Sequence, residues 1–129
     1  MPKFTPGELN VMRLLWTHGE MKPSEIQRKF PTRIKNPALR SYLSILLEKG
    51  HVSRRLVGKA YHYRAVTKRQ SAFRSMLREM VETCFDGSTQ ALMMTLIKSE
   101  KLSEKELLEL KRMAESEPAD PSPKKESKP

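Results

Sequence analysis

The sequence predicts a mainly α-helical chain that carries one small β-hairpin. Apolar residues recur at three- and four-residue spacing in six segments, several of which begin with helix-capping residues. Two short runs rich in β-branched and aromatic residues flank Gly58-Lys59, which is the arrangement of a tight hairpin. The two halves of the chain differ in charge. Residues 1–70 contain 15 Lys and Arg and 4 Asp and Glu, whereas residues 71–129 contain 10 Lys and Arg and 11 Asp and Glu.

The first helix has strong boundary residues at both ends. Thr5 can cap it, Pro6 suits the first helical position and Glu8 completes a capping box. Gly19 can end it in a left-handed conformation. The residues expected on its buried face are Leu9, Met12, Leu15 and Trp16.

Two further helices follow within the basic half. The second is predicted from Pro23 to Phe30 and has a poor cap, Lys22. The third is predicted to start with Asn36 as its cap and Pro37 as its first residue, and to end at Gly50. Its expected apolar side consists of Leu39, Leu43, Leu46 and Leu47, with Tyr42 at the edge.

A basic hairpin is predicted directly after the third helix. Its strands span His51 to Val57 and Ala60 to Val66, and Gly58 supplies the turn. Tyr61 is expected to be mostly core. Helix, turn, helix and a basic hairpin together predict a winged helix-turn-helix domain over residues 1–68.

The second half predicts a helical region over residues 69–115 and a disordered, Pro-, Ser- and Lys-rich tail over 116–129. Ser88 and Ser103 are predicted to cap its last two helices, and Cys84 is expected to be a small buried hydrophobe. This half has more apolar residues than a core of its size can bury, so we expect a dimer. The residues assigned to dimerisation are Phe73, Leu77, Met80, Phe85, Leu92, Leu96, Leu107 and Leu110.

The charge asymmetry predicts a polyanionic partner, and duplex DNA is the first candidate. At 100° per residue, Arg40, Ser41 and Ser44 lie opposite the leucines of the third helix, with Ile45 at the edge. Arg40 can contact a guanine edge or a phosphate, and Ile45 can touch a thymine methyl. The alternative is an ordinary solvated helix face that carries one arginine.

Other cations are predicted to contribute affinity. Arg33 and Lys35 precede the third helix and are expected to contact phosphates. Ser24, at the start of the second helix, is either a phosphate contact or an ordinary first-turn residue. In the hairpin, the candidates for DNA contact are Arg54, Arg55 and Lys59, with Lys59 beside the turn preferred. The alternative for the hairpin is simple solvent exposure of its charges.

Several function classes are not expected. His18, His51, His62 and Cys84 are scattered along the chain, so we predict no metal site and no cofactor. The sequence shows no catalytic triad, phosphate loop or paired carboxylates, so we predict no enzyme. The N-terminus lacks a signal peptide, no apolar run approaches membrane-spanning length, and one cysteine suits a reducing compartment, so we predict a cytoplasmic protein.

The order of several short motifs resembles the penicillinase repressor family over about residues 4–114. These motifs are Glu8-Leu9-Asn10-Val11-Met12, Leu15-Trp16, Leu39-Arg40-Ser41, Glu48-Lys49-Gly50, Gly58-Lys59-Ala60-Tyr61-His62-Tyr63, Phe85-Asp86-Gly87-Ser88 and Leu102-Ser103. The resemblance implies a bacterial winged-helix repressor that binds a palindromic operator as a homodimer with intertwined C-terminal helices.

Departures from the family pattern change what the resemblance implies in three respects. Ala38 and Ile45 stand where members usually have Thr and Arg, so a different operator sequence is expected. Thr95-Leu96 stands where the antibiotic-resistance members carry the Asn-Phe pair cut by a protease, so a regulatory protease remains an open hypothesis. Cys84 alone cannot replace the cysteine cluster of the copper-responsive relatives, so copper sensing is not expected.

Two other functions fit the same residues. The basic face can meet an acidic protein, which would make the chain a protein-interaction adaptor. Alternatively, the chain can coat DNA without sequence preference. The amphipathic third helix and the apolar second half favour a sequence-specific dimer over both.

Overall fold

The computed structural model describes residues 3–116 and contains, within them, six helices and a two-stranded antiparallel sheet. The elements are α1 (Pro6–His18), α2 (Pro23–Lys29), α3 (Asn36–Glu48), β1 (Val52–Val57), β2 (Ala60–Ala65), α4 (Arg69–Cys84), α5 (Thr89–Glu100) and α6 (Glu104–Ser116). The predicted mainly α fold with a small hairpin is therefore confirmed. The chain divides into two compact units, the first ending at Ala72 and the second starting at Phe73.

The start of α1 follows the prediction. The Thr5 side chain accepts a hydrogen bond from the Glu8 N–H, and the Glu8 carboxylate accepts one from the Thr5 N–H, each at 3.2 Å. Gly19 ends the helix with φ 82° and ψ −152°. Its φ is positive as expected, but its ψ differs from that of the left-handed helix.

The starts of α2 and α3 rely less on side-chain caps. Lys22 caps α2 without a side-chain hydrogen bond to the helix, while its own N–H donates to the Glu25 carboxylate at 2.8 Å. The prediction that Asn36 caps α3 is wrong, because Asn36 is already helical and the Lys35 carbonyl accepts the Leu39 N–H. Pro37 consequently occupies the second position of the helix.

One apolar core holds the first unit together. Helices α1, α2 and α3 pack with the hairpin around it, and its buried residues are Val11, Met12, Leu15, Met21, Ile26, Leu39, Leu43, Leu46, Val52 and Tyr63. Trp16 is only half-buried, and its indole Nε1 donates to the Thr67 carbonyl at 2.8 Å. The three α3 leucines in this core turn the opposite side of α3 outward.

Close packing of α1 on α3 requires a glycine at position 7. A Cβ at Gly7 would lie 2.1 Å from Cζ of Tyr42, well inside contact distance. Tyr42 is held on its other side by Phe30, whose ring is stacked at a centroid distance of 6.4 Å. The absence of a side chain therefore lets the Tyr42 ring fit between two helices.

The hairpin register follows from its two-residue loop. Val57 pairs with Ala60 across Gly58 and Lys59, and Arg54 consequently lies opposite Tyr63. Gly58 has φ 64°, a positive value that a glycine adopts without strain at this loop position. Met21 adds a short antiparallel bridge to β2, since its N–H and carbonyl each bond to Tyr63, at 2.9 and 2.8 Å.

The second unit contains most of α4 together with α5 and α6. Ser88 caps α5 by accepting the Ala91 N–H at 3.0 Å, and Ser103 exchanges two capping hydrogen bonds with Glu106, as predicted. Among its described residues only Val81 and Leu92 are buried apolar side chains. Cys84 is exposed, so the expectation that it is buried is wrong for the single chain. Of the predicted tail, Ser116 is helical and 117–129 lie outside the described residues.

Candidate nucleic-acid interface

The exposed side of α3 carries the polar residues that the sequence assigned to DNA contact. Arg40, Ser41 and Ser44 are exposed, and Ile45 is half-buried at the edge of this side. The opposite side is anchored by the buried leucines of the core. Because α3 is fixed on one side and free on the other, its polar side chains are available to a groove of duplex DNA.

The N-terminal end of α3 favours an anion. No acidic residue occupies its first turn, and no side chain satisfies the first free N–H groups. Lys35 and Arg33 are exposed just before this helix, and their charges add to the positive end of the helix dipole. Ser24 is exposed in the first turn of α2.

The hairpin presents two different faces. Directly opposite residues share a face, so the inner face carries Val52, Arg54, Leu56, Tyr61, Tyr63 and Ala65. The outer face carries Ser53, Arg55, Val57, Ala60, His62 and Arg64. Lys59 is exposed in the loop at the tip.

On the outer face, Arg55 already has a carboxylate partner. Its Nε and Nη2 donate to the two carboxylate oxygens of Glu20 at 2.7 and 3.1 Å. The hydrogen bond from Arg55 lowers the pKa of Glu20, and the charges of His62 and Arg64 act in the same direction. The positive charge of Arg55 is thus largely compensated within the protein. Sequence reasoning missed Glu20, which lies 35 residues away along the chain.

On the inner face, Tyr61 contradicts its predicted place in the core. It is 41% exposed, whereas Tyr63, two residues on, is 6% exposed. Alternation along β2 places both rings on one face, but the hairpin extends beyond the core at Tyr61. Its ring instead lies under the guanidinium of Arg54, with the guanidinium carbon 4.0 Å from the ring centre.

The residues assigned to dimerisation are mostly accessible in the single chain. Leu77, Met80, Leu96 and Leu110 are each more than two-fifths exposed. Phe73, Phe85 and Leu107 are half-buried, and Leu92 is buried within its own unit. Further exposed apolar side chains in this unit are Met93, Met94, Leu108 and Met113.

No three His, Cys, Asp or Glu side chains converge on a metal-sized site within residues 3–116. No helix in the same part of the chain is long and apolar enough to cross a bilayer.

Comparison with known families identifies the chain. The sequence model of the penicillinase repressor matches residues 4–116, which span both units of the described structure. The chain belongs to the penicillinase repressor family. As a member of the penicillinase repressor family it is a DNA-binding transcription regulator and not an enzyme. No curated protein sequence matches the chain.

Solved structures agree on the fold. The YusO protein from Bacillus subtilis is 22% identical, with a TM-score of 0.51 over 86% of this chain and 72% of that chain. The transcriptional regulator PA4135 is 21% identical, with a TM-score of 0.50 over 89% of this chain and 80% of that chain. Both likenesses confirm a winged-helix fold.

Proposed function

We propose that the chain is a homodimeric repressor that binds a palindromic operator through α3. The observation that carries this proposal is the two-sided character of α3, which has three buried leucines on one side and exposed Arg40, Ser41 and Ser44 on the other. In this assignment Arg40 reads a base edge, and Ile45 packs against a thymine methyl. Arg33, Lys35, Ser24, Arg54 and Lys59 add backbone or groove contacts. Arg55 contributes less than its charge suggests, because Glu20 compensates it.

The proposed dimer rests on the second unit. Eight of its large apolar side chains are exposed, and a monomeric protein rarely leaves such a set of residues in water. A two-fold interface would bury them by pairing the same surface of two copies. We accordingly assign DNA binding to residues 1–68 and dimerisation to residues 69–115. The half-sites would then lie about 34–36 Å apart if both face one side of the duplex.

Selection of bound sequences from random duplex DNA tests this function. The purified full chain is used at moderate salt, and its oligomeric state is measured by sedimentation under the same conditions. We expect enrichment of a palindrome and a dimer. Because the bound protein is expected to neutralise about 6–10 phosphates, its affinity for DNA should also fall steeply as the salt concentration rises from about 50 to about 200 mM.

Each rival function predicts a different result. A DNA-coating protein gives no enriched sequence, and its binding follows charge alone. An adaptor gives weak, salt-labile DNA binding and instead associates with an acidic protein. Either result would overturn the proposed repressor.

A regulatory protease is a separate hypothesis. Thr95 and Leu96 lie in the middle of α5, and the Thr95 hydroxyl donates to the Ala91 carbonyl at 2.9 Å. A protease needs an extended substrate, so cleavage at this bond requires local unfolding of α5. The test is the appearance of two fragments that meet at this bond when repression is relieved in cells.

We also place the protein in the cytoplasm, where it has access to DNA. The single cysteine is consistent with a reducing compartment. Cell fractionation with detection of the chain tests this location.

A further inference from the structure

The guanidinium of Arg54 is held by two tyrosines on the inner face of the hairpin. Its Nη1 donates to the Tyr63 hydroxyl at 3.1 Å, and its planar group lies over the Tyr61 ring at 4.0 Å. The register explains this arrangement, because Arg54 lies directly opposite Tyr63 and diagonally opposite Tyr61. The side chain therefore leans along the hairpin toward its tip.

Tyr63 is a rigid support for this contact. Its ring is part of the core, and its backbone bonds in both directions to Met21. Its hydroxyl is consequently presented from a fixed position. Tyr61 supports the guanidinium from an exposed part of the hairpin.

Arg54 differs in this respect from its neighbour Arg55. Arg55 is paired with the Glu20 carboxylate, whereas the two partners of Arg54 are uncharged phenol rings. The structure records no carboxylate partner for Arg54 within residues 3–116. Arg54 thus keeps its full positive charge while its side chain is ordered, and most of its N–H donors stay unused.

We propose that Tyr61 and Tyr63 position Arg54 to enter the minor groove beside each half-site, so that the operator is also selected by groove width. This inference rests on the proposed operator binding by α3. A narrow A·T-rich minor groove has an enhanced negative potential that attracts an inserted arginine. A flat, ordered guanidinium enters such a groove with less loss of side-chain freedom than an unsupported one.

The test keeps the selected palindrome constant and changes only the flanking base pairs reached by the hairpin. Affinity is measured for A·T-rich and G·C-rich flanks, and the ratio of the two is the readout. We expect the protein to prefer A·T-rich flanks by about three- to tenfold, the range that one ordered arginine side chain supports. Arg54→Ala and Arg54→Lys should both abolish this preference, although the lysine keeps the charge.

Tyr63→Phe separates positioning from folding. It removes only the hydroxyl and should lower the flank ratio, which is the affinity for the operator with A·T-rich flanks divided by that with G·C-rich flanks, toward one. In an Arg54→Ala background, Tyr63→Phe should not change the ratio of the two affinities any further. A general structural defect would instead lower the affinity for the operator with either type of flank. Tyr61→Leu should act in the same way. Lys59→Ala is the matched control, since loss of a cation at the hairpin tip should weaken binding to operators with either type of flank by the same factor.

The outcomes distinguish the two proposals. If no palindrome is selected, the operator function itself fails. If a palindrome is bound but Arg54→Ala lowers the affinity for operators with either type of flank equally, Arg54 is a phosphate contact and the groove-width inference is overturned. It is also overturned if Tyr63→Phe leaves the flank ratio unchanged.

Discussion

Glu8 is a charged residue inside the first unit, with 3% of its surface exposed. It accepts the Thr5 N–H, and its carboxylate lies 3.9 Å from Nζ of Lys49. His51 follows the end of α3, and its Nδ1 lies 2.7 Å from the Thr67 hydroxyl. Polar groups at the start of α1, the end of α3 and the end of the hairpin are in this way paired within the fold.

His51 links stability to pH. Burial lowers the pKa of its imidazole, as does the charge of Lys49, while Glu8 opposes them. The unfolded chain therefore takes up a proton at His51 at a higher pH than the folded chain does. This contribution to stability is fully present above the unfolded pKa of about 6.5, and it is lost as the pH falls toward the lower folded pKa.

We expect His51→Gln to remove this part of the pH dependence. Urea unfolding of both proteins between about pH 8 and pH 5 measures it, since other titrating groups are common to the two. The free energy of unfolding should fall more steeply on acidification in the unsubstituted protein. Identical pH profiles for the two proteins would contradict the assignment to His51.

Arg40 and Lys59 are predicted to act differently on DNA. Arg40→Ala should reduce discrimination between operator and scrambled DNA by about 1–3 kcal/mol, because a base contact is lost. Lys59→Ala should weaken binding to all DNA sequences alike. It should also reduce by about 1 the slope of the logarithm of the binding constant against the logarithm of the salt concentration. Arg13→Ala is the matched control, because it removes an exposed arginine from α1, outside the proposed interface. Competition binding at several salt concentrations measures both quantities, and equal behaviour of Arg40→Ala and Lys59→Ala would refute the division of roles.

At the scale of elements, α1, α5 and α6 each begin at a residue whose side chain caps the helix. Thr5, Ser88 and Ser103 cap their helices through contacts within four residues, so these starts were predictable from the sequence. At α3 the start lies one residue earlier than predicted. Its side-chain cap is absent, and the buried leucines determine how α3 is held.

The contact of α1 with α3 gives an element-scale prediction. Gly7→Ala should gain at most about 1 kcal/mol from helix propensity, because Gly7 lies in the first turn of α1, but lose about 1–3 kcal/mol from the clash with Tyr42, for a net destabilisation. In a Tyr42→Leu background the clash is relieved, so the same alanine should stabilise. Denaturant unfolding of the four proteins in this cycle measures the change of sign. A stabilising Gly7→Ala in the presence of Tyr42 would show that the ring moves aside without cost.

At the scale of the whole molecule, the two units differ in how their apolar residues are used. The first unit buries a continuous core from three helices and the hairpin. The second leaves eight large apolar side chains exposed among its described residues, so its stability is expected to depend on association. Protein concentration should accordingly affect both stability and operator affinity.

Leu77→Glu tests this dependence. Leu77 is 52% exposed, and a charge buried at a dimer interface should cost about 2–4 kcal/mol of association free energy. Leu56→Glu is the matched control, because Leu56 is 60% exposed on the hairpin, outside the proposed interface. Sedimentation should find Leu77→Glu shifted toward monomer and Leu56→Glu unchanged. A dimer of undiminished strength in Leu77→Glu would place the interface elsewhere.

The sequence by itself determined the features that depend on neighbours along the chain. Capping residues predicted the starts of α1, α5 and α6, and the Gly58-Lys59 loop predicted a hairpin between two short strands. The spacing of leucines predicted which side of α3 is exposed. The ordered motifs led to the family that the match over residues 4–116 confirmed.

Only the tertiary structure decided which of these residues have distant partners. Met21 bridges to Tyr63, and Glu20 pairs with Arg55, in each case across more than thirty residues. The exposure of Tyr61 likewise depends on where the core ends, which periodicity does not specify. Such contacts depend on the packing of separate elements, and local patterns carry no information about which distant side chains that packing brings together.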